Sequence, residues 1–194
     1  MGNKHSTSKL NIKSKTMKIA KYKSAKSTYN LPAVYLIDKT GSSDKTQYFS
    51  VNKPQKYGMT YKVRGYIPAE ETSKTVELNE LDKVPIIKEL KPLSLKVGDV
   101  YEAQVANNKK MKFTVVSVND DTNELQLKVE AQGKNTTVTN EWSITDFTAL
   151  YYQLGEENFT ITRKAETNNK KYLVIGGIAL AAIGLIVLIK KASS

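Results

Sequence analysis

Hydrophobic and polar residues alternate in short runs over the middle of the chain, and turn-forming residues separate the runs. Alternation with a period of two is the pattern of a strand that buries one face. After Pro92 the alternating runs cover residues 100–105, 111–118, 125–130, 135–139, 142–144 and 159–163. Short turns between consecutive runs favour antiparallel neighbours, so this part predicts a meander that closes as a small barrel or sandwich.

A second group of alternating runs lies before Pro92. It covers residues 33–38, 46–51, 59–67 and 74–79. The turn sequence 41–44 between the first two runs predicts a hairpin. Pro85 interrupts residues 80–90, for which we predict a loop-like bridge. The predicted fold class is therefore mainly β, with a first β unit over residues 30–92 and a second over residues 93–163.

One segment of the second unit predicts a helix. It covers residues 146–154, and Asp146 or Thr145 supplies the side-chain oxygen that caps the first turn. Gly155 follows the last helical residue, where the left-handed backbone that ends many helices favours glycine. The second unit is therefore expected to combine a meander with one short helix.

The longest apolar run lies near the C-terminus and contains eighteen residues without a charge. As a helix with a rise of about 1.5 Å per residue it reaches roughly 27 Å, close to the ~30 Å hydrocarbon core of a bilayer. A helix satisfies its own backbone hydrogen bonds in lipid, so the run predicts one transmembrane anchor. Its residues are Tyr172, Leu173, Val174, Ile175, Gly176, Gly177, Ile178, Ala179, Leu180, Ala181, Ala182, Ile183, Gly184, Leu185, Ile186, Val187, Leu188 and Ile189.

Lysine pairs bracket the anchor and mark the expected headgroup levels. The flanking residues are Lys170, Lys171, Lys190 and Lys191. A polar stalk over residues 164–171 spans at most ~28 Å when extended, and residues 190–194 form a short basic tail. Because so short a tail crosses a bilayer most easily, we expect a single-pass, C-terminally anchored protein with its domain on the cytoplasmic side. Small residues at Gly177 and Ala181 also permit self-association of the anchor.

The net charge of +11 is concentrated at the two ends of the chain. Residues 1–29 contain eight lysines and no acid, whereas residues 30–162 carry 16 basic and 18 acidic residues. The apolar residues of this N-terminal segment keep no period, so residues 1–29 predict a flexible basic arm that is disordered without a partner. Its lysines are Lys4, Lys9, Lys13, Lys15, Lys18, Lys21, Lys23 and Lys26.

Lysine is a flexible point charge that suits non-specific contact with anions. The arm is therefore expected to bind anionic lipid headgroups, an acidic protein surface or nucleic acid, of which nucleic acid is the less favoured. The alternative is a solvated tail without a partner.

The residue types that most enzymes and metal sites need are scarce. The chain contains no cysteine, and its single histidine, His5, lies in the arm. Adjacent carboxylates occur at 70–71, 120–121 and 156–157, in or beside predicted turns, where solvation is a commoner role than catalysis. We therefore predict no catalytic residue, no cofactor and no metal, and a protein that is not an enzyme.

Aromatic residues supply one further pattern. Tyr57, Tyr61 and Tyr66 lie close in sequence to Lys56, Lys62 and Arg64. Stacking on nucleic-acid bases beside phosphate contacts is one interpretation. We favour tyrosines that line a sheet and pair across its strands, because the folded region as a whole is slightly acidic.

In layout the sequence resembles the small membrane-anchored structural proteins, or minor capsid proteins, of icosahedral viruses and phages with an internal lipid membrane. A basic arm, a near-neutral β-rich region, a short stalk and one C-terminal span carry this resemblance. It implies a non-enzymatic virion component that links a protein shell to the internal membrane, with its domain on the capsid side. Coat or other assembly proteins and the lipid bilayer would be its partners.

Two other functions fit the same layout. The first is a cellular tail-anchored binding module that recruits a partner to a membrane. The second is a membrane-tethered, non-specific nucleic-acid binder that uses the arm. Removal of the arm separates them, because it should abolish particle assembly in the virion protein, leave the module unaffected and remove salt-sensitive affinity from the nucleic-acid binder.

Overall fold

The computed structural model describes residues 17–39, 46–105, 109–133 and 137–163. The strands in this part are β1 (Ala20–Lys23), β2 (Thr28–Leu31), β3 (Ala33–Asp38), β4 (Thr46–Val51), β5 (Gln55–Tyr57), β6 (Thr60–Ile67), β7 (Thr72–Glu77), β8 (Ile86–Leu90), β9 (Val100–Val105), β10 (Lys109–Asn119), β11 (Glu124–Ala131), β12 (Thr137–Ser143) and β13 (Phe159–Thr162). One α-helix, α1, covers Ile144–Leu154, and 3₁₀ turns cover Pro68–Glu70, Leu78–Lys83 and Glu156–Asn158. The prediction of mainly β, antiparallel structure is confirmed.

Strands β3 to β8 form the first sheet. Their order is β5-β6-β4-β3-β8, and β7 also pairs with β6. Strands β3 and β4 have the limits that alternation predicts, and they pair from Ala33 opposite Val51 to Asp38 opposite Thr46. The core of this sheet is built on apolar side chains from several strands, among them Val51 and Val63, which are fully buried.

Strands β9 to β13 form the second sheet, in the order β12-β11-β10-β9-β13. The predicted barrel is wrong, because the sheet stays open. Closure requires its two outer strands to pair, but β13 lies against β9 at one edge and β12 against β11 at the other. Phe147 and Ile144 of α1 complete the core of this open sheet instead, packed among residues such as Tyr101 and Phe113.

The helix begins two residues earlier than the predicted start. Ser143 is the N-cap, and its Oγ accepts a hydrogen bond from the backbone N–H of Asp146 at 2.9 Å. Serine therefore does what the sequence assigned to Asp146 or Thr145, and both of those side chains make other contacts. Gly155 follows the last helical residue, as predicted, and has a φ of 87°, but its ψ of 131° lies outside the left-handed helical region that the sequence led us to expect.

Helix α1 also contacts the first sheet. Tyr152 stacks on Tyr48 of β4 with ring centroids 5.7 Å apart, and the backbone N–H of Tyr48 donates to Gln153 Oε1 at 3.3 Å. The same helix supplies Phe147 to the second core. It therefore connects the two sheets.

Strand β8 corrects the predicted loop over residues 80–90. A 3₁₀ turn and then a strand, Ile86–Leu90, occupy this region, and the strand pairs with β3 at the edge of the first sheet. Pro85 lies just before the strand, where its missing N–H removes no hydrogen bond from the ladder. Its carbonyl accepts from Asp38 N at 2.9 Å, so the proline starts the strand.

The N-terminal arm is shorter than predicted. Strands β1 and β2 pair as a hairpin, with Ala20 opposite Leu31 and Lys23 opposite Thr28. Tyr29 and Leu31 are buried in the first core, which supplies the apolar surface that the segment cannot bury alone. The prediction of disorder is therefore wrong for residues 20–29, and the fold begins about ten residues before residue 30.

Candidate interaction surface

The structure describes only part of the predicted attachment residues. Lys18, Lys21, Lys23 and Lys26 lie in or beside the β1–β2 hairpin. The other predicted positions lie outside the described residues: Lys4, Lys9, Lys13, Lys15, the anchor 172–189, and its flanks Lys170, Lys171, Lys190 and Lys191.

The β5–β6 hairpin exposes large side chains at its tip. Gly58 takes a φ of 58° in the turn, which favours glycine, and the next residue, Met59, is fully exposed. Tyr57 is 53% exposed, and Lys62 Nζ lies 5.2 Å from the centre of its ring. This end of the hairpin therefore presents a methionine beside a tyrosine and a lysine.

The opposite face of the hairpin carries a second tyrosine and lysine, because adjacent residues of a strand point to opposite faces. Lys56 lies opposite Tyr61 in the strand register, and Tyr61 is 40% exposed. Tyr22 of β1 meets Tyr61 edge to face, with ring centroids 5.8 Å apart. The side chains on both faces of the hairpin tip, with the partly buried Tyr22 that packs against them, are here called the tyrosine–lysine surface: Tyr22, Lys56, Tyr57, Met59, Tyr61 and Lys62.

Tyr66 does not belong to this surface. It lies on β6 beside the second sheet, and its ring meets Trp142 edge to face with centroids 6.5 Å apart. Burial, followed by the nearby negative charge of Asp146, raises the pKa of Tyr66 to about 12. The tyrosines that the sequence groups together are therefore divided between an exposed surface and the contact between the sheets.

An ion pair between a half-exposed arginine and a buried aspartate holds the base of the β5–β6 hairpin. Arg64 Nη1 donates to Asp146 Oδ2 at 2.6 Å, and Ser50 Oγ donates to Asp146 Oδ1. The side chain of Asp146 is 6% exposed and that of Arg64 is 46% exposed. Helix α1 is thereby tied to β4 and β6, close to the point where the hairpin leaves the sheet.

An amide network lies next to this ion pair. Asn123 Nδ2 donates to Asn52 Oδ1 at 2.8 Å and to Thr145 Oγ1 at 2.9 Å. Its Oδ1 accepts from Thr145 N at 3.2 Å, and Asn123 itself is buried with a φ of 63°. Asn52 lies between β4 and β5, so the network links the hairpin to a turn of the second sheet.

One carboxylate fixes the turn of the β1–β2 hairpin. Asp82 Oδ1 accepts from Ser24 Oγ at 2.6 Å and from Tyr29 Oη at 2.9 Å, and its Oδ2 accepts from Lys26 N at 3.1 Å. The hydrogen bond from Ser24 holds the pKa of Asp82 below its ordinary value. Asp82 therefore orders a lysine-rich segment whose own sequence predicts no structure.

Replacing Asp82 with alanine is expected to raise amide hydrogen-exchange rates in β1 and β2 by about tenfold, because three hydrogen bonds are lost together. Glu80→Ala is the matched control, since Glu80 contacts only the exposed Lys83 of the same 3₁₀ turn. Because folding lowers the pKa of Asp82, its contribution is complete above about pH 4 and is lost as the pH falls further. Equal exchange in the two variants would show that Asp82 does not order the hairpin.

A cavity of about 320 Å³ opens beside β3 and β4. Apolar walls from Ile37, Phe49 and Val84 enclose it, together with Gln47, which is 4% exposed. Gln47 Oε1 has no hydrogen-bond partner, so the cavity offers one buried acceptor between apolar walls and a rim that includes Asp38, Lys39, Glu70 and Lys83.

Sequence reasoning missed Met59 and Tyr22 as members of the tyrosine–lysine surface and Asp82 as the residue that orders the β1–β2 hairpin. The turn at Gly58, placed between alternating residues, was a signal that Met59 lies at a hairpin tip. No sequence signal connects Tyr22 or Asp82 to this region, because their partners lie far away along the chain.

Comparison with protein-family models, curated proteins and solved structures found no match for this chain. Within the described ranges, no group of three or more acidic, histidine or cysteine side chains is arranged to hold a metal ion. In the same ranges, no helix has the length and apolar character needed to cross a membrane.

Proposed function

We propose that this protein is a non-enzymatic structural linker that anchors a protein shell or assembly to a lipid membrane, as the minor capsid proteins of lipid-containing viruses do. The observation that carries the proposal is the run of eighteen uncharged residues, 172–189, between two lysine pairs. A stalk of eight residues then holds the β-rich domain within ~28 Å of the lipid.

The described fold supports a linker role, because several contacts join its two sheets. A linker under load needs sheets that do not separate, and α1, the Arg64–Asp146 ion pair and the Asn123 network all join the two sheets. The N-terminal segment adds a further connection. Lys18 N donates to Asp120 O at 3.3 Å in the second sheet, while Tyr29 is buried in the first.

Membrane extraction tests the anchor. The full chain is expected to stay in the membrane pellet after alkaline carbonate treatment, and a chain that ends at Lys171 is expected to appear in the supernatant. Removal of only residues 192–194 is the matched control. Release of the full chain by carbonate would contradict the proposal.

Density-gradient fractionation of native material tests the assembly. Co-migration with a particle that holds lipid, genome and an abundant coat protein supports the virion linker. Migration with ordinary membranes alone favours the tail-anchored binding module instead. Deletion of residues 1–16 is the right arm variant for this test, because residues 20–29 belong to the fold. If the full chain binds nucleic acid in a salt-sensitive way and the deletion removes this binding, the membrane-tethered nucleic-acid binder is favoured.

A further inference from the structure

We propose that the tyrosine–lysine surface is a second membrane contact, in which the tip of the β5–β6 hairpin enters the headgroup region of an anionic leaflet. The inference rests on the proposed function, because it names lipid as the partner of a domain that the anchor holds near a bilayer. It adds a site in the folded domain to the attachment expected from the two ends of the chain.

The side chains at the tip carry the argument. Single exposed apolar residues are ordinary on protein surfaces. Here a fully exposed methionine adjoins Tyr57 in the same turn, and Tyr61 and Tyr22 follow on the neighbouring strands. Tyrosine prefers the boundary between lipid and water, where its ring is in an apolar setting and its hydroxyl stays hydrated. Methionine at a protruding tip can enter the acyl boundary without backbone rearrangement.

The charges around the tip favour an anionic surface. Lys56 and Lys62 flank the tyrosines of the hairpin, and Lys21 and Lys23 flank Tyr22 on β1. Glu77 of β7, opposite Lys62, and Asp82, which holds the turn of the β1–β2 hairpin, are acidic residues at the border of this group, against four lysines. The balance is therefore positive, which suits the negative potential of a leaflet that contains acidic lipids.

The ring contacts favour lipid over nucleic acid. Base stacking needs an open aromatic face. The Lys62 ammonium lies over one face of the Tyr57 ring, and Tyr22 meets Tyr61 edge to face, which reduces the ring area open to a base. The stalk also places the domain next to the bilayer, so lipid is the nearest anionic partner.

The absence of cysteine makes the test specific, because one introduced cysteine carries the only label. Met59→Cys, Ile87→Cys and Ala181→Cys are each labelled with an environment-sensitive fluorophore in the full chain. Ile87 is the matched control, since it is 55% exposed and lies on β8 at the opposite edge of the same sheet. Ala181 reports insertion of the anchor. The chains are reconstituted in nanodiscs of phosphatidylcholine, with or without phosphatidylglycerol, and quenching by spin-labelled lipid is measured.

The expected result is quenching at 181 in both nanodiscs, and quenching at 59 that is roughly twofold stronger when phosphatidylglycerol is present, with no change at 87. Replacing Lys21, Lys23, Lys56 and Lys62 together with glutamine should remove this difference and leave the signal at 181. Equal quenching of the labels at positions 59 and 87 overturns the inference. Quenching at position 59 that is the same with and without phosphatidylglycerol also overturns it. If the label at position 181 is not quenched, the proposed function fails. Quenching of the label at position 59 alone would still support the lipid contact.

Discussion

Replacing Arg64 with alanine is expected to lower the free energy of unfolding by about 2–4 kcal/mol, because it leaves the buried carboxylate of Asp146 without its cation. The Asp146 side chain is 6% exposed and keeps only the Ser50 hydroxyl as a partner on the first sheet. The loss should fall below that of a fully buried pair, since Arg64 is 46% exposed and water can reach the vacated space.

Urea unfolding of the full chain in detergent, followed by tryptophan fluorescence, measures this loss. Trp142 is the single tryptophan and lies beside the contact between the sheets. Lys74→Ala on the neighbouring strand removes an exposed cation and should change stability by less than about 0.5 kcal/mol. Arg64→Lys should lie between the two, because lysine keeps the charge and loses the planar group that reaches the carboxylate. If Arg64→Ala lowers the free energy of unfolding no more than Lys74→Ala does, the ion pair does not join the sheets.

Replacing Asn123 with alanine is expected to cost about 2–4 kcal/mol. The variant loses the side-chain hydrogen bonds to Asn52 and Thr145 and leaves the buried backbone N–H of Thr145 without its acceptor, whereas Thr145 Oγ1 and Asn52 Oδ1 keep the bond between them. It also forces alanine into a backbone with a φ of 63°, which asparagine tolerates better.

The same unfolding measurement applies, with Asn119→Ala as control. Asn119 lies on the same turn, where its exposed Oδ1 accepts from Asp121 N at 3.1 Å, so its loss should cost little. Asn123→Gly should be less harmful than Asn123→Ala, because glycine removes the backbone strain while losing the same hydrogen bonds. A glycine variant that is no better than the alanine variant would show that backbone conformation contributes little at this position.

Alternation predicted the strands that bury one face against a local partner. The limits of β3, β4 and β9 agree with the sequence prediction, because each strand has regular apolar positions bounded by turn residues. Strand β8 was not predicted, because its apolar residues follow a proline and do not alternate regularly with polar ones. Strand β5 is short and exposed, so it carries no apolar pattern at all.

The arrangement of the sheets and the surface could not be predicted in this way. The partners that order β1 and β2 lie far along the chain, as for Ser24 and Asp82, which are 58 residues apart. The network of Asn52, Asn123 and Thr145 likewise joins three separate parts of the sequence. Single-sequence patterns report local periodicity and contain nothing about such long-range hydrogen bonds. The membrane anchor can be predicted without any long-range contact, because the prediction needs only the length and the apolar character of one segment.

The contacts of the N-terminal hairpin also set an order of events during synthesis. Residues 17–31 leave the ribosome before the rest of the described fold, but Asp82 and Asp121, which hold Ser24 and Lys18, are made much later. The hairpin cannot fold stably until those residues have emerged. The part of the described fold that is synthesised earliest is therefore among the last to adopt its final position. Throughout that interval its lysines are available to any acidic partner near the growing chain.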